Sequence, residues 1–128
     1  MRRTISTGAV FLGSVAVVVG ALIPSDGAIA HAFLDHAAPS VGSTVRGSPA
    51  EVRVWFTQAL EPAFSTLRVV DRGGAQVDQG NNAVDAGERT LLKVGLRPLA
   101  PGSYKVFWRV LSVDAHTTEG SFSFSVSR

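Results

Sequence analysis

The chain has no cysteine among its 128 residues, and its only methionine is Met1. Without cysteine no disulfide can form, so a domain built from this sequence must be held together by its core alone. Thiolate and thioether ligands are likewise missing from any form that has lost Met1. Such a form can offer only nitrogen and oxygen donors to a metal ion.

The chain also lacks a run of basic residues and, after residue 30, a second apolar segment long enough to span a membrane. It carries 12 Lys and Arg against 10 Asp and Glu. Because Arg2, Arg3 and Asp26 lie in the first 30 residues, the rest of the chain keeps 10 basic and 9 acidic side chains. A nearly neutral domain with no basic cluster argues against nucleic acid as a partner.

The first 30 residues contain the three parts of an export signal in the expected order. Two arginines come first, an apolar run follows over residues 8–23, and Ala28 and Ala30 frame a cleavage site. The apolar run has 16 residues, whereas a helix that spans a bilayer needs about 20. We therefore predict a signal peptide over residues 1–30, and the alternative is a single transmembrane anchor. The exported domain is expected over residues 31–128, in the periplasm or otherwise outside the cytoplasm, with no stable membrane insertion after cleavage.

From residue 31 onward the pattern predicts short strands separated by turn residues. Apolar and polar residues alternate with a period of two, which is typical of strands with one buried face. The strands are predicted at residues 33–34, 52–57, 67–71, 75–78, 90–94, 104–111 and 121–126. This spacing indicates an all-β fold over residues 33–127, an immunoglobulin-like antiparallel β-sandwich or Greek-key barrel, with no helix longer than a turn or two.

Tyr104 follows a Pro-Gly turn at the start of the longest predicted strand. This placement resembles the tyrosine corner of immunoglobulin-like domains, although an ordinary β-turn could carry the same residues. The residues that we expect in the core are Phe56, Val69, Leu92, Val106, Trp108, Phe122 and Phe124.

Two histidines and an aspartate are the candidate metal ligands. Cleavage after residue 30 would make His31 the first residue, with a free α-amine and an imidazole that can chelate one ion. Asp114 and His116 are two residues apart, so they would point to one face of an extended segment. We expect both to lie close to residue 31, with the first strand beside the segment that ends at Ser112. Three nitrogens and one oxygen favour copper(II), and zinc is the competing ion.

His36 is the third histidine of the chain. It is five residues after His31, which places it on the opposite face of a straight strand. We expect it to be a surface residue. The Asp-x-His pattern is itself weak evidence for a metal site, because most such pairs in exposed loops bind nothing.

Larger stretches of the sequence resemble the copper-resistance protein C (CopC) family. They are residues 31–34, 54–58 and 99–116, the last of which ends in Asp114-Ala115-His116. The resemblance implies a small periplasmic β-barrel or sandwich that binds copper(II) through His31, Asp114 and His116. The sequence departs from the family pattern where Ala115 and Thr117 replace glycine and proline. Gln58 also stands where the family has a glutamate near the metal, so it cannot add a negative charge there.

The resemblance favours a copper(II)-binding carrier or buffer in copper homeostasis or resistance. Its partners would be the copper ion and a membrane copper transporter, and we expect a monomer that is not an enzyme. One alternative is a copper monooxygenase-like enzyme with an amino-terminal histidine brace, although Asp114 would occupy a position that oxygen needs. The other alternative is a metal-free β-sandwich interaction module, which predicts either that His31 is not the terminal residue or that Asp114 and His116 point apart.

Overall fold

The computed structural model describes residues 32–128 together with Gly8 and Gly13. Apart from those two glycines, the predicted signal peptide lies outside the described residues, as do its cleavage site and His31. Residues 34–127 contain eight strands: β1 (Leu34–Ala38), β2 (Thr44–Arg46), β3 (Glu51–Phe56), β4 (Thr66–Asp71), β5 (Ala83–Val84), β6 (Leu91–Gly95), β7 (Gly102–Leu111) and β8 (Thr117–Ser127). A single turn of 3-10 helix spans Pro62–Phe64, and no helix in the described part of the chain is long and apolar enough to cross a membrane.

The strands form two four-stranded sheets that enclose one core. The first sheet has the order β1-β3-β6-β5, and the second has the order β2-β8-β7-β4. The predicted all-β sandwich is therefore confirmed. Every strand pair is antiparallel except β2 and β8, which run parallel from Thr44 opposite Ser125 to Arg46 opposite Ser127. The second sheet is thus mixed rather than purely antiparallel.

The period-two pattern of the sequence explains how the strands pack. In β8 the alternate residues Phe122, Phe124 and Val126 are buried, and the residues between them are serines that face outward. Each large apolar side chain removed from water contributes about 1.5–3 kcal/mol to stability. The expected core residues are buried except Trp108, which is partly buried. Its ring meets the ring of Phe56 edge-on, with centroids 5.2 Å apart.

The tyrosine corner is present at the start of β7. The hydroxyl of Tyr104 donates a hydrogen bond to the backbone oxygen of Ala100, four residues upstream, at 2.5 Å. This contact ties the turn before β7 to the core, because the Tyr104 ring also stacks on Phe124. A backbone acceptor a few residues upstream is the feature that distinguishes a tyrosine corner from an ordinary β-turn.

The predicted strand at residues 75–78 is borne out only in part: residues 75–77 return antiparallel to β4, with the N–H of Asp71 donating to Ala75 and the N–H of Val77 donating to Val69, both at 2.9 Å, but they form no regular strand. The segment makes only isolated bridges, from Gln76 to Val70 and from Asp78 to Leu96. Asp78 is 1% exposed, and its carboxylate accepts hydrogen bonds from the backbone of Val69 and Gly80 and from the side chain of Gln76. The segment thus pairs first with the edge of β4 and then with the end of β6, so it joins the two sheets. The short strands β2 and β5 were not expected from the sequence.

The expected position of the first strand is also wrong. β1 pairs with β3 in the first sheet, with Leu34 opposite Phe56, and does not run beside the segment that ends at Ser112. That segment continues β7, and both edges of β7 are already occupied by β4 and β8. No edge of β7 remains for β1, so β1 cannot pair with the segment that ends at Ser112.

Candidate metal centre

The candidate ligands Asp114 and His116 lie in the loop that joins β7 to β8, at one end of the sandwich. The segment that follows β3 packs against this loop through backbone hydrogen bonds. The N–H of Val113 donates to the oxygen of Ala59 at 3.0 Å, and the N–H of Glu61 donates to the oxygen of Leu111 at 2.8 Å. The loop is therefore attached to the first sheet as well as to the second.

The loop brings the carboxylate of Asp114 and the ring of His116 together. Oδ1 of Asp114 lies 3.4 Å from Nδ1 of His116, and the two side chains are 37% and 45% exposed. The segment between them is a turn rather than the extended chain expected from the sequence, because the N–H of Ala115 donates to the oxygen of Ser112 at 2.9 Å. Ala115 has a φ of 68°, a left-handed conformation that glycine adopts far more readily than alanine.

Ser112 organises the backbone and one side chain of this loop. It is 0% exposed, and its hydroxyl donates a hydrogen bond to the carboxylate of Asp114. Its N–H donates to the oxygen of His116 at 3.0 Å, so one buried residue contacts both candidate ligands. Its hydroxyl also lies 3.1 Å from the backbone oxygen of His116. The carboxylate of Asp114 and the backbone oxygen of His116 therefore compete for the one hydroxyl proton.

The pKa of Asp114 is lowered by these contacts. The hydrogen bond from Ser112 is the largest cause, partial desolvation opposes it, and hydrogen bonding and charge from His116 add to the lowering. Asp114 is therefore ionised at neutral pH. A carboxylate that has already lost its proton can bind a cation without competition from protons.

The residues that begin the continuous stretch 32–128 reach the same end of the sandwich. Ala32 is 0% exposed, and its backbone oxygen accepts a hydrogen bond from the hydroxyl of Thr118 at 2.6 Å. The N–H of Phe33 donates to the hydroxyl of Thr57 at 3.0 Å, and the N–H of Thr57 donates to the oxygen of Phe33 at 2.9 Å. Thr118 is two residues after His116. The residue that follows His31 is therefore bonded to the strand that begins at the candidate ligand loop.

His36 is an exposed residue, as expected from the sequence. It lies opposite Trp55 in the pairing of β1 with β3, on the outer face of the first sheet. Its ring stacks on the ring of Trp55 with centroids 4.4 Å apart, and Nδ1 lies 2.6 Å from a carboxylate oxygen of Asp35. These contacts occupy the ring of His36 with surface neighbours.

Gln58 is half-buried in the segment after β3, next to Ala59, whose oxygen accepts the bond from Val113. Its role as an outer partner of a metal stays a prediction. Within residues 32–128 the structure contains no group of three or more His, Cys, Asp or Glu side chains that could hold a metal ion. Asp114 and His116 form a two-donor set, so a complete site needs further donors from another part of the chain or from solvent.

Sequence reasoning missed Ser112 and Thr118. Both are small hydroxyl residues, and nothing in the local pattern separates them from the other serines and threonines of the chain. The only available signal was that each lies two residues from a candidate ligand, Ser112 before Asp114 and Thr118 after His116.

Comparison with known proteins points to one family. A family model described as the CopC domain matches residues 34–127. Copper resistance protein C of Xanthomonas campestris pv. juglandis is 32% identical over 121 residues, which cover 90% of this chain and 94% of that protein. Copper transport protein CutJ of Bacillus subtilis is 26% identical over 100 residues, which cover 77% of this chain but only 18% of CutJ. The crystal structure of CopC from Methylosinus trichosporium OB3b superposes with a TM-score of 0.71 at 38% identity, covering 76% of this chain and 94% of that one.

Proposed function

Because this chain belongs to the CopC family, we propose that it binds copper as copper(II) through His31, Asp114 and His116, outside the cytoplasm. The protein is a copper-binding carrier in copper resistance, and copper is its cargo rather than a resident cofactor. The observation that carries the choice of ligands is the meeting of two chain segments at one end of the sandwich. They are the turn that pairs Asp114 with His116 and the Ala32 segment bonded to Thr118.

The chemistry of the donors fits copper(II). After cleavage at residue 30, His31 would supply its α-amine and its imidazole, and the loop would add one carboxylate and one imidazole. Three nitrogens and one oxygen suit the tetragonal geometry of copper(II), which also has the highest affinity among the common divalent ions. Soft copper(I) finds no thiolate or thioether in a chain that has lost Met1. Zinc remains the competitor, although structural zinc sites are usually richer in cysteine.

The cellular location and the partner are also proposed from membership of the CopC family. We propose export by the signal peptide over residues 1–30 and a monomeric domain that exchanges copper with a membrane transporter. The similarity to CutJ supports a transport partner, because a segment like this chain forms 18% of a longer protein named for copper transport. Attached to a transporter or separate from it, a carrier domain would act on the same cargo.

Enzymatic activity is the rival proposal, and the geometry disfavours it. A histidine-brace oxygenase needs an open equatorial position where oxygen can bind. Ser112 donates a hydrogen bond to the carboxylate of Asp114, and Oδ1 of Asp114 lies 3.4 Å from Nδ1 of His116. This carboxylate would therefore occupy one of the four equatorial positions around the copper ion. We therefore propose that the protein stores or transfers copper and does not activate oxygen.

The proposed function is tested on protein exported and processed by the host cell. Intact mass establishes whether the chain begins at His31 and how many copper ions it binds. Copper(II) is then titrated in competition with a calibrated chelator. We expect one ion per chain and a loss of affinity of at least 100-fold in His116→Ala and in Asp114→Ala. The matched control is His36→Ala, which should bind copper as the parent protein does. Equal affinity of all three variants would refute the proposed ligand set.

A further inference from the structure

We infer that Thr118 is a positioning residue for the amino-terminal copper ligand. The inference rests on the proposed function, since it concerns how His31 is held towards Asp114 and His116. It adds a residue that does not itself touch copper.

The contact that carries the inference joins the start of the domain to the second sheet. The hydroxyl of Thr118 in β8 donates a hydrogen bond to the backbone oxygen of Ala32 at 2.6 Å, and Ala32 is 0% exposed. A buried backbone oxygen needs a hydrogen-bond partner, because leaving it without one carries the full cost of its desolvation. Thr118 therefore fixes the peptide group between Ala32 and Phe33, one residue after His31.

A second threonine holds the same segment from the other sheet. Thr57 follows β3, and it exchanges two hydrogen bonds with Phe33, one through its hydroxyl and one through its backbone. Residues 32 and 33 are thus clasped between the end of β3 and the start of β8. The backbone exchange with Phe33 extends the β1–β3 ladder, whereas the bond from Thr118 is the cross-link to the strand that carries the ligand loop.

The consequence for copper follows from covalent geometry. Consecutive Cα atoms are 3.8 Å apart across a trans peptide, so the position of Ala32 limits where the α-amine and ring of His31 can go. Metal sites require donors held within about 0.5 Å of their working positions. Releasing Ala32 from Thr118 would leave the pair Asp114 and His116 intact but would let the amino-terminal donors move away from it.

The test compares Thr118→Val with Thr118→Ser in the exported, processed protein. Valine has nearly the shape of threonine but no hydroxyl, and serine keeps the hydroxyl. Mutation of an outer partner of a metal ligand typically lowers metal affinity by about 10–100-fold. We expect that loss for copper(II) in Thr118→Val and near-parental affinity in Thr118→Ser. Thr117→Val, at the exposed neighbouring residue of the same strand, is the matched control and should bind as the parent does.

Two further measurements show what kind of role Thr118 has. The electron paramagnetic resonance spectrum of copper-loaded Thr118→Val should show fewer coordinated nitrogens than the parent spectrum. In the copper-free protein, the amide of Phe33 should exchange its hydrogen about tenfold faster in Thr118→Val than in the parent. The reason is that residues 32 and 33 would keep their hydrogen bonds to Thr57 but lose the bond to residue 118. A merely structural residue would lower the melting temperature and change neither reading.

Parental copper affinity in Thr118→Val, or an equal loss in Thr118→Ser, would overturn the inference. If Thr118→Val does not fold, Thr118→Ala takes its place in the comparison with Thr118→Ser: a loss of copper(II) affinity confined to Thr118→Ala supports the inference, and parental affinity in Thr118→Ala overturns it. His116→Ala is measured in the same series. Parental affinity in His116→Ala would refute the proposed function itself, whereas a loss there combined with normal binding by Thr118→Val would refute the role of Thr118 alone.

Discussion

Replacing Ala115 with glycine should stabilise the protein, although most glycine substitutions destabilise. Ala115 has a φ of 68°, and it is the only non-glycine residue with a positive φ among residues 32–128. An L-residue in the left-handed region costs about 1–2 kcal/mol. Glycine avoids that cost but loses about 0.4–1 kcal/mol through the greater freedom of the unfolded chain. The difference predicts a net gain of about 0.5–1 kcal/mol for Ala115→Gly.

The gain is measurable by thermal and urea denaturation of the copper-free protein. For a domain of this size, 1 kcal/mol shifts the melting temperature by about 4–8 °C, so we expect a rise of about 2–8 °C. The matched control is Ala86→Gly, in an exposed loop where φ is not positive. It should lower the free energy of unfolding by about 0.4–1 kcal/mol, because it meets only the cost in the unfolded chain. The two variants should therefore move in opposite directions.

The same variant examines how the ligand loop is held. Ser112 contacts the carboxylate of Asp114 and the backbone of His116, and neither contact involves the side chain at residue 115. Copper affinity of Ala115→Gly should therefore stay within about tenfold of the parent, less than the loss typical of an outer-partner mutation. If Ala115→Gly is destabilised as much as Ala86→Gly, the strain that we assign to Ala115 is absent and the reasoning fails.

Three other predictions concern the amino terminus, a buried carboxylate and an exposed ion pair. Adding one residue before His31 converts the α-amine into an amide; copper(II) affinity in a chelator competition should fall sharply while the melting temperature stays unchanged. In the processed protein, affinity should fall as the pH drops through about 8 to 6, where the amine and imidazole gain protons. Asp78→Ala leaves the buried N–H of Val69 without its acceptor and removes the bonds from the more exposed Gln76 and Gly80, so urea denaturation should show a loss of about 2–3 kcal/mol, and a loss under 1 kcal/mol would contradict this. The pKa of Asp85 is lowered, mainly by the hydrogen bond from Lys93, so Lys93→Met should lose stability at pH 7 and match the parent once the pH falls below the lowered pKa; a gap that persists there would refute the assignment.

The sequence determined the class of fold because that information is local. Alternating apolar residues in segments such as 121–126 can bury one face only as strands, and a chain of such strands has to stack two sheets against each other. Tyr104 after its Pro-Gly turn was recognisable for the same reason, since the motif lies within a few residues. The pairing of Asp114 with His116 also depends on neighbouring positions, and for that reason the sequence could single it out.

The tertiary structure decided everything that depends on which strand edges are free and which buried groups need partners. β1 joined β3 because β4 and β8 already occupy both edges of β7, and no local pattern records that competition. The segment around Asp78 passes from β4 to the end of β6, and hydrogen bonds to its buried carboxylate hold it there. The turn at Ala115, the bond from the Ser112 hydroxyl to Asp114 and the bond from the Thr118 hydroxyl to Ala32 also depend on how the chain folds back on itself, which no local pattern records. Sequence alone could name the candidate donors, whereas only the packed sandwich shows the contacts that Ser112 makes with Asp114 and that Thr118 makes with Ala32.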